Sequence, residues 1–426
     1  MIPDVLEQYA EIASTMWSRR DHLAGSAALR LAELERLDER IEAQIDGLRI
    51  AGEHGRSVCR TTLTPLTGVD GGAFFAAGVL AIESGNPETL TGILQTGQTS
   101  GMAASAIDPW RALVSALAWA EPAAAAAARS WLLSAGDSLQ RWLGVAGTGA
   151  SRATRQADWQ AALHDPAAVV RARAYRATGE LGGTGLAALL RPGLTDPDPE
   201  CRFWSAWAAS RMGAGEAALG VLAEIAWTNQ PRATQALDLL LRCLEVPHAN
   251  AWLREFARLP DRQRDLIRAT AVVGDPVYIP WLIERMLEPE TALLAGEAFS
   301  AITGLDLAHH GLDRKSPRDF ESGPNDDPAD ENVAFDEDDQ LPWPDPGRIG
   351  SWWLANLGHY KPGTAYFLGT PKLATDWLGA LSDAFQRQRR AAAMELAIRM
   401  PRAAMFEVRA RGRLQRRLIA RSRGLV

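Results

Sequence analysis

The chain has 426 residues, 47% of them hydrophobic and 23% charged, and a formal net charge of −7 at pH 7. That balance is globular and excludes a disordered polyelectrolyte; no apolar run reaches the roughly 18 residues of a membrane span, and the first residues lack the basic region and apolar run of a secretory signal. Cys59, Cys201 and Cys243 are odd in number and scattered without metal-ligand spacing, so the expected location is a reducing cytoplasm.

In chain order, residues 3–24 read as a first helix with Val5, Tyr9, Ile12, Met16 and Trp17 near one face. A second runs from about Ala27 to Ile50. Its apolar positions Leu31, Leu34, Leu37, Ile41, Ile45 and Leu48 step by three or four, the period of an amphipathic helix. The pair is expected to form a hairpin cap over residues 1–55, because the open end of a repeat stack exposes an apolar face. The alternative is that the stripe recruits a partner helix. Short helices follow at 71–82, 87–94, 109–119, 122–133 and 137–143, separated by Gly and Pro breaks. The small residues of Gly144–Ser151 read as a hinge.

Residues 163–213 carry one pattern twice. The first copy is Leu163-His-Asp-Pro-Ala-Ala-Val-Val-Arg171 with Leu181-Gly182; the second is Leu194-Thr-Asp-Pro-Asp-Pro-Glu-Cys-Arg202 with Met212-Gly213. Asp caps free helical N–H groups, Pro suits a first turn, and Gly closes the C-terminus. A fixed offset shared by Leu, Arg and Gly marks a stacked repeat. The pattern resembles a HEAT repeat. Further helices are expected at 230–244, 249–256, 262–273, 277–287 and 291–302, giving a repeat array over 56–306 and almost no β-sheet.

From residue 307 to 346 the pattern stops. Residues 319–345 carry 11 acidic groups and no basic one. Segments this polar cannot bury enough apolar area to offset their ordering entropy, so 313–340 read as a surface loop. Helices resume at 349–357, with Trp352-Trp353, and at 374–397, and residues 405–418 can form a last basic helix. This C-terminal section, 347–426, ends in a tail: residues 384–426 hold 12 Arg against Glu395 and Glu407.

Leu37-Asp-Glu-Arg-Ile-Glu-Ala-Gln-Ile-Asp-Gly-Leu48, Glu297–Asp306, Leu341-Pro-Trp-Pro-Asp345 with Trp352-Trp353, and Ala391–Ala397 together resemble an uncharacterised bacterial family of HEAT-like repeat proteins. Its members are often encoded beside type VI secretion genes. The resemblance implies a role near effector delivery and no enzymatic activity. The expected fold is thus all-α: a HEAT-like α-solenoid with an N-terminal helical hairpin and a divergent helical C-terminal section.

Motifs for chemistry are sparse. No lysine follows Gly, so the phosphate loop Gly-Lys-Ser/Thr is absent, as are His-Glu-x-x-His and Gly-x-Ser-x-Gly. Gly183-Thr-Gly185 mimics a dinucleotide fingerprint but follows a helix. His309-His310 beside Asp306 and Asp313 are read as a solvated loop start, and the acidic run lacks the spacing of an EF-hand. No cofactor or metal is expected.

Trp204, Trp207, Arg171 and Arg202 invite comparison with helical-repeat DNA glycosylases of the alkylpurine type, which hold damaged DNA with Trp, Arg and Asp. Against it, Trp204 is in phase with core positions, Arg171 and Arg202 suit pairing with Asp165 or Asp196, and residues 151–285 hold 16 basic and 15 acidic groups, no basic footprint. The favoured reading is a non-enzymatic protein-binding scaffold, an adaptor, chaperone or immunity partner of a secretion effector. Its candidate contact residues are Arg411, Arg413, Arg416, Arg417 and Trp207. For the tail three readings stand: packing within the chain, including against the acidic loop; an acidic protein partner; nucleic acid or membrane.

Overall fold

A computed structural model of the chain describes residues 3–63, 71–99, 109–152, 159–183, 185–213, 215–317 and 338–424. The regular structure of the described residues is almost wholly helical, and they divide into two compact units.

The first unit comprises Met1–Gly25, Leu29–Ala218 and Leu378–Val426. Its helices are α1 (Pro3–Leu23), α2 (Leu31–Ile50), α3 (Glu53–Thr61), α4 (Gly71–Ser84), α5 (Pro87–Thr99), α6 (Pro109–Trp119), α7 (Pro122–Leu133), α8 (Ser138–Ser151), α9 (Ala168–Leu181), α10 (Ala187–Leu190) and α11 (Pro199–Arg211). Helix α12 (Glu216–Ala226) begins here and runs into the second unit. The α1–α2 hairpin forms because each helix has one apolar stripe. On α2 that stripe is Leu31, Leu34, Ile41, Ile45 and Leu48, as its periodicity predicts. On α1 the buried line is Leu6, Ala10, Ala13 and Trp17, one position round from the predicted one, whose other members are half-buried.

Helix α4 is apolar all round and buried over Gly71–Ile82, the expected state of such a helix. Trp17 stacks on Phe75 at 5.2 Å and Trp119 meets Phe75 edge-on at 5.2 Å, which centres this core. The predicted hinge, Gly144–Ser151, is instead the C-terminal half of α8 and is buried from Gly144 to Gly149. Its glycines lower helix propensity, but a Cβ on Gly144 would press on the α7 backbone at 2.9 Å, so their lack of side chains is what lets α8 pack.

The two sequence copies are structurally equivalent. Gln160–His164 and Arg191–Thr195 each form a 3-10 turn, followed by α9 and α11. Gly182 and Gly213 both take positive φ, 64° and 73°, where those helices end.

The second unit comprises Ser26–Ala28 and Leu219–Trp377. It holds α13 (Ala233–Cys243), α14 (Val246–Phe256), α15 (Gln263–Val273), α16 (Ile279–Arg285), α17 (Pro289–Thr303) and α18 (Pro346–Asn356). A two-residue hairpin, β1 (Tyr366–Phe367) with β2 (Thr370–Pro371), is its sheet. Phe299, Ile302, Leu282, Ile349 and Trp353 lie in its core. Residues 318–337, most of the acidic loop, lie outside the described residues. Their flanks are packed: Asp313 and Pro344 form an antiparallel bridge, and Leu307 and Leu312 are buried.

Two C-terminal helices differ from expectation. The predicted 374–397 helix is two, α19 (Trp377–Asp383) and α20 (Gln386–Arg399). It breaks because Arg30 bridges Phe385, the Gln386 N–H donates to Leu29 O at 2.8 Å, and the Arg30 guanidinium lies 4.0 Å from the Phe385 ring centre. The last helix, α21 (Gly412–Ser422), starts seven residues later than predicted, and residues 400–411 are an irregular strap.

Candidate protein-binding surface

The repeat signature residues work as a ladder. Arg171 Nε and Nη2 each donate to Asp196 at 3.0 Å, and its Nη1 donates to the carbonyls of Asp165 and Pro166. One repeat earlier, Arg141 pairs in the same way with Asp165, at 2.6 and 3.0 Å, and donates to the carbonyls of Ala135 and Gly136. Arg202 repeats the carbonyl bonds, to Asp196 and Pro197. Each planar guanidinium therefore closes its own helix entry and, at Arg141 and Arg171, clamps the next repeat with a two-point contact. The partner arginines hold the carboxyls of Asp165 and Asp196 below the usual carboxylate range. Arg141 is the member that the internal sequence pattern does not reveal, because its helix lacks Asp-Pro.

Behind the ladder lies a buried ionic cluster. Glu180 accepts from Arg173 at 2.9 Å and from Arg176 at 2.8 Å, and Arg152 lies 3.4 Å away. Burial would raise the Glu180 carboxyl, but the charges of Arg173, Arg176 and Arg152 outweigh it and bring it down to about 2.

Arg409, Arg411, Arg413 and Arg416 of the basic tail pair within their own unit. Helix α21 runs antiparallel to α2: Arg411 lies 3.5 Å from Glu42, Arg413 donates to Glu39 at 3.0 Å, and Arg416 pairs with Glu35. The Gly412 N–H donates to Asp38 at 2.7 Å; Asp38 is buried and also accepts from Arg20 at 2.7 Å. Arg409 pairs with Asp21. Arg417 is exposed. Of the predicted contact residues, Arg413 and Arg416 sit on α21 and Arg411 caps it, and all three face carboxylates of α2, so what they meet there is the N-terminal hairpin. Asp338, at the end of the acidic segment, is buried and pairs with Arg264 of α15.

Trp207 corrects the sequence reading: it is 7% exposed and packs between α9 and α11, where a Cβ on Gly179 would meet its ring at 2.5 Å. Trp204 lies edge-on to it at 5.5 Å, covered by the Arg176 guanidinium at 4.6 Å. Neither ring is placed to stack on a base. The His309 and His310 rings meet edge-on at 5.1 Å, and His310 Nδ1 bonds the Asp306 carbonyl at 2.8 Å. Among the described residues no group of three or more His, Cys, Asp or Glu comes together to hold a metal. Burial pushes the Cys59 and Cys201 thiols up to about 12, which makes them poor nucleophiles.

One exposed tryptophan, seated on less exposed aromatics, escaped the sequence reading. In the second unit Trp227, 42% exposed, lies tilted against Trp252 at 4.6 Å and 5.7 Å from Phe256, on which Trp252 stacks. Arg262 lies 5.1 Å from the centre of the Phe256 ring. Arg262 and Phe256 are buried, so Trp227 is the exposed member, and Trp is a residue type enriched at interface hot spots. The excess of Trp, fifteen residues, was the only sequence signal for it.

Residues 157–241 match the HEAT repeat family model. No curated protein matches the chain significantly. The matched segment contains α9, α11, the ladder arginines Arg171 and Arg202, and Trp227. Among the described residues no helix is long and apolar enough to cross a membrane.

Proposed function

We propose that this chain is a non-enzymatic, cytoplasmic protein-binding scaffold, and that its partner is an effector of a bacterial secretion system, for which it serves as adaptor, chaperone or immunity protein. The observation that carries the scaffold reading is the HEAT match over 157–241, in which the polar signature side chains are consumed in stacking repeats. HEAT repeats commonly mediate protein–protein contact. Repeat stacks display a continuous surface built on rigid neighbours. Trp227 supplies an exposed aromatic anchor on the same segment. The effector identity rests on the sequence resemblance alone.

The test is in-cell crosslinking of the tagged full chain, followed by affinity capture and mass spectrometry, beside a Trp227→Ala variant. The expected result is a secreted effector enriched with the wild-type chain, and at least about tenfold weaker capture by the variant, since loss of an interface Trp typically costs 2 kcal/mol or more. Enrichment of DNA-repair proteins or nucleic acid, or of nothing above an unrelated tagged chain, would overturn the reading.

A further inference from the structure

The arginine ladder of the first unit has one rung that the chain does not complete. Arg141, Arg171 and Arg202 each spend Nη1 on two carbonyls at their own helix entry: Ala135 and Gly136, Asp165 and Pro166, Asp196 and Pro197. In Arg141 and Arg171 the other edge of the guanidinium, Nε with Nη2, donates to both oxygens of a carboxylate, Asp165 and Asp196. In Arg202 that edge meets no acceptor among the described residues. Arg202 is half-buried, yet neither its Nε nor its Nη2 is sealed from solvent.

The sequence accounts for the difference. Asp165 and Asp196 present their carboxylates from an Asx turn: Oδ1 of each accepts the N–H two residues on, from Ala167 and Asp198, at 2.9 Å. The next such turn along the chain is made by Thr228, whose hydroxyl accepts from the Gln230 N–H at 3.2 Å. A hydroxyl has one oxygen and no charge, so it is no substitute for a carboxylate facing two N–H groups. The ladder arginine is kept at Arg202 while the acidic half of its rung is not.

We propose that the Nε–Nη2 edge of Arg202 is a docking point for a protein partner, and that the partner supplies an aspartate held in an Asx turn at a helix entry, the form in which Asp165 and Asp196 fill the two rungs before it. This rests on the scaffold reading and specifies the partner's chemistry. The two filled rungs show what such an edge accepts: one carboxylate, taken by two parallel hydrogen bonds. Arg202 is preorganised for it, because Nη1 is already tied to two carbonyls and little side-chain freedom is left to lose on pairing. A polyanion fits the surroundings less well, since residues 151–285 hold 16 basic and 15 acidic groups and offer no basic field.

The test uses the full-length chain and a synthetic peptide spanning residues 163–171, which carries the Asp165 turn. Arginine Nε–H signals are followed by NMR in the isotope-labelled chain, and the Arg202 signal is identified by its loss in Arg202→Lys. Millimolar peptide should shift the Arg202 signal saturably and leave those of Arg141 and Arg171 in place, because their edges are spent. A peptide carrying Asp165→Asn keeps the turn but loses the charge and one acceptor, and should bind at least about tenfold more weakly. In the free chain the Arg202 Nε–H should exchange with water at least about tenfold faster than that of Arg171. No saturable shift, equal binding of the two peptides, or equal exchange at Arg202 and Arg171 would overturn the proposal. In the crosslinking experiment, Arg202→Lys, which keeps the charge and loses the fork, should cut capture of the effector, and excess peptide should compete with it on the wild-type chain, a readout that needs no variant to fold. Capture indifferent to both removes the Arg202 site and leaves the scaffold reading standing; peptide binding at Arg202 with no effector captured removes the effector partner and leaves a carboxylate site.

Discussion

Gly182 and Gly213 stand at the same place in the repeat signature but carry different loads. Both have positive φ, so an alanine at either costs roughly 1–2 kcal/mol of backbone strain. Nothing lies within 4 Å of a Cβ on Gly213, whereas on Gly182 it would strike the strap. Gly182→Ala should therefore lower the melting temperature more than Gly213→Ala, and equal shifts would mean the strap yields freely. Glu180 offers a second residue-level test. Its carboxyl lies at about 2 in the folded chain against 4.5 for an unperturbed Glu. A folded pKa below the unfolded one means that the contribution is complete above about pH 4.5 and is lost as pH falls toward 2, with a magnitude on the order of 3 kcal/mol. Stability measured by denaturant titration across that window should fall less steeply in Glu180→Gln than in the wild type. An unchanged slope would show that other carboxylates govern acid unfolding.

At the scale of elements, the α2–α21 clasp contains two kinds of charge pair. Arg413–Glu39 is largely exposed and Arg416–Glu35 partly so, and exposed pairs are worth about 0–1 kcal/mol. The Arg20–Asp38 pair is buried and also holds the Gly412 N–H. Asp38→Ala leaves Arg20 buried without its partner, a change that typically costs 3–5 kcal/mol. Denaturation midpoints should move far more for Asp38→Ala than for Arg413→Gln with Arg416→Gln; the reverse order would place the clasp's strength in its surface charges. The acidic segment follows similar logic. The Arg314 N–H donates to the Trp343 carbonyl at 2.8 Å, so the flanks are already held together. Replacing residues 319–337 by a short Gly/Ser linker should barely shift the melting temperature, because closure entropy changes slowly with loop length. Extending the replacement through the buried Asp338, and so removing its pair with Arg264, should lower it clearly. A large loss from the shorter replacement would show that those residues contribute packing.

These elements also mark what was legible in the sequence. The α2 stripe, the short Pro-started helices and the 31-residue repeat were visible because periodicity and capping chemistry are local. Arg171–Asp196 was foreseen because the signature carries both residues. Arg141 was not, since its repeat keeps the geometry without Asp-Pro. The 144–151 hinge was misread because small residues signal flexibility in sequence and close packing in a fold. The tail's partner was sought in the most acidic segment, yet the carboxylates that meet Arg411, Arg413 and Arg416 lie on the polar face of α2, where charge looked like ordinary solvation. Asp38 sits within the apolar stripe, and only its contact with Arg20 and residue 412 explains it.

For the whole molecule, the first unit is assembled from both ends of the chain, with residues 219–377 between its segments forming the second. Contacts such as Arg409 with Asp21 and Arg152 with Glu407 join residues hundreds of positions apart. Such pairings pay a large loop-closure entropy before they return any stabilisation, so they form late in folding. A chain ending at Trp377 would leave Asp21 and Asp38 without Arg409 and Gly412, Arg152 without Glu407, and the buried Arg211 without its carbonyl acceptors. The second unit, Leu219–Trp377 with Ser26–Ala28, would keep its residues intact. Truncation after Trp377 should therefore strip amide protection from α1, α2, α9 and α11 while α15 and α17 stay protected, as hydrogen exchange with mass spectrometry can read segment by segment. Uniform loss across both units would mean that they fold only as one, and unchanged protection in α1 and α2 would mean that the C-terminal helices contribute nothing to the hairpin they cover.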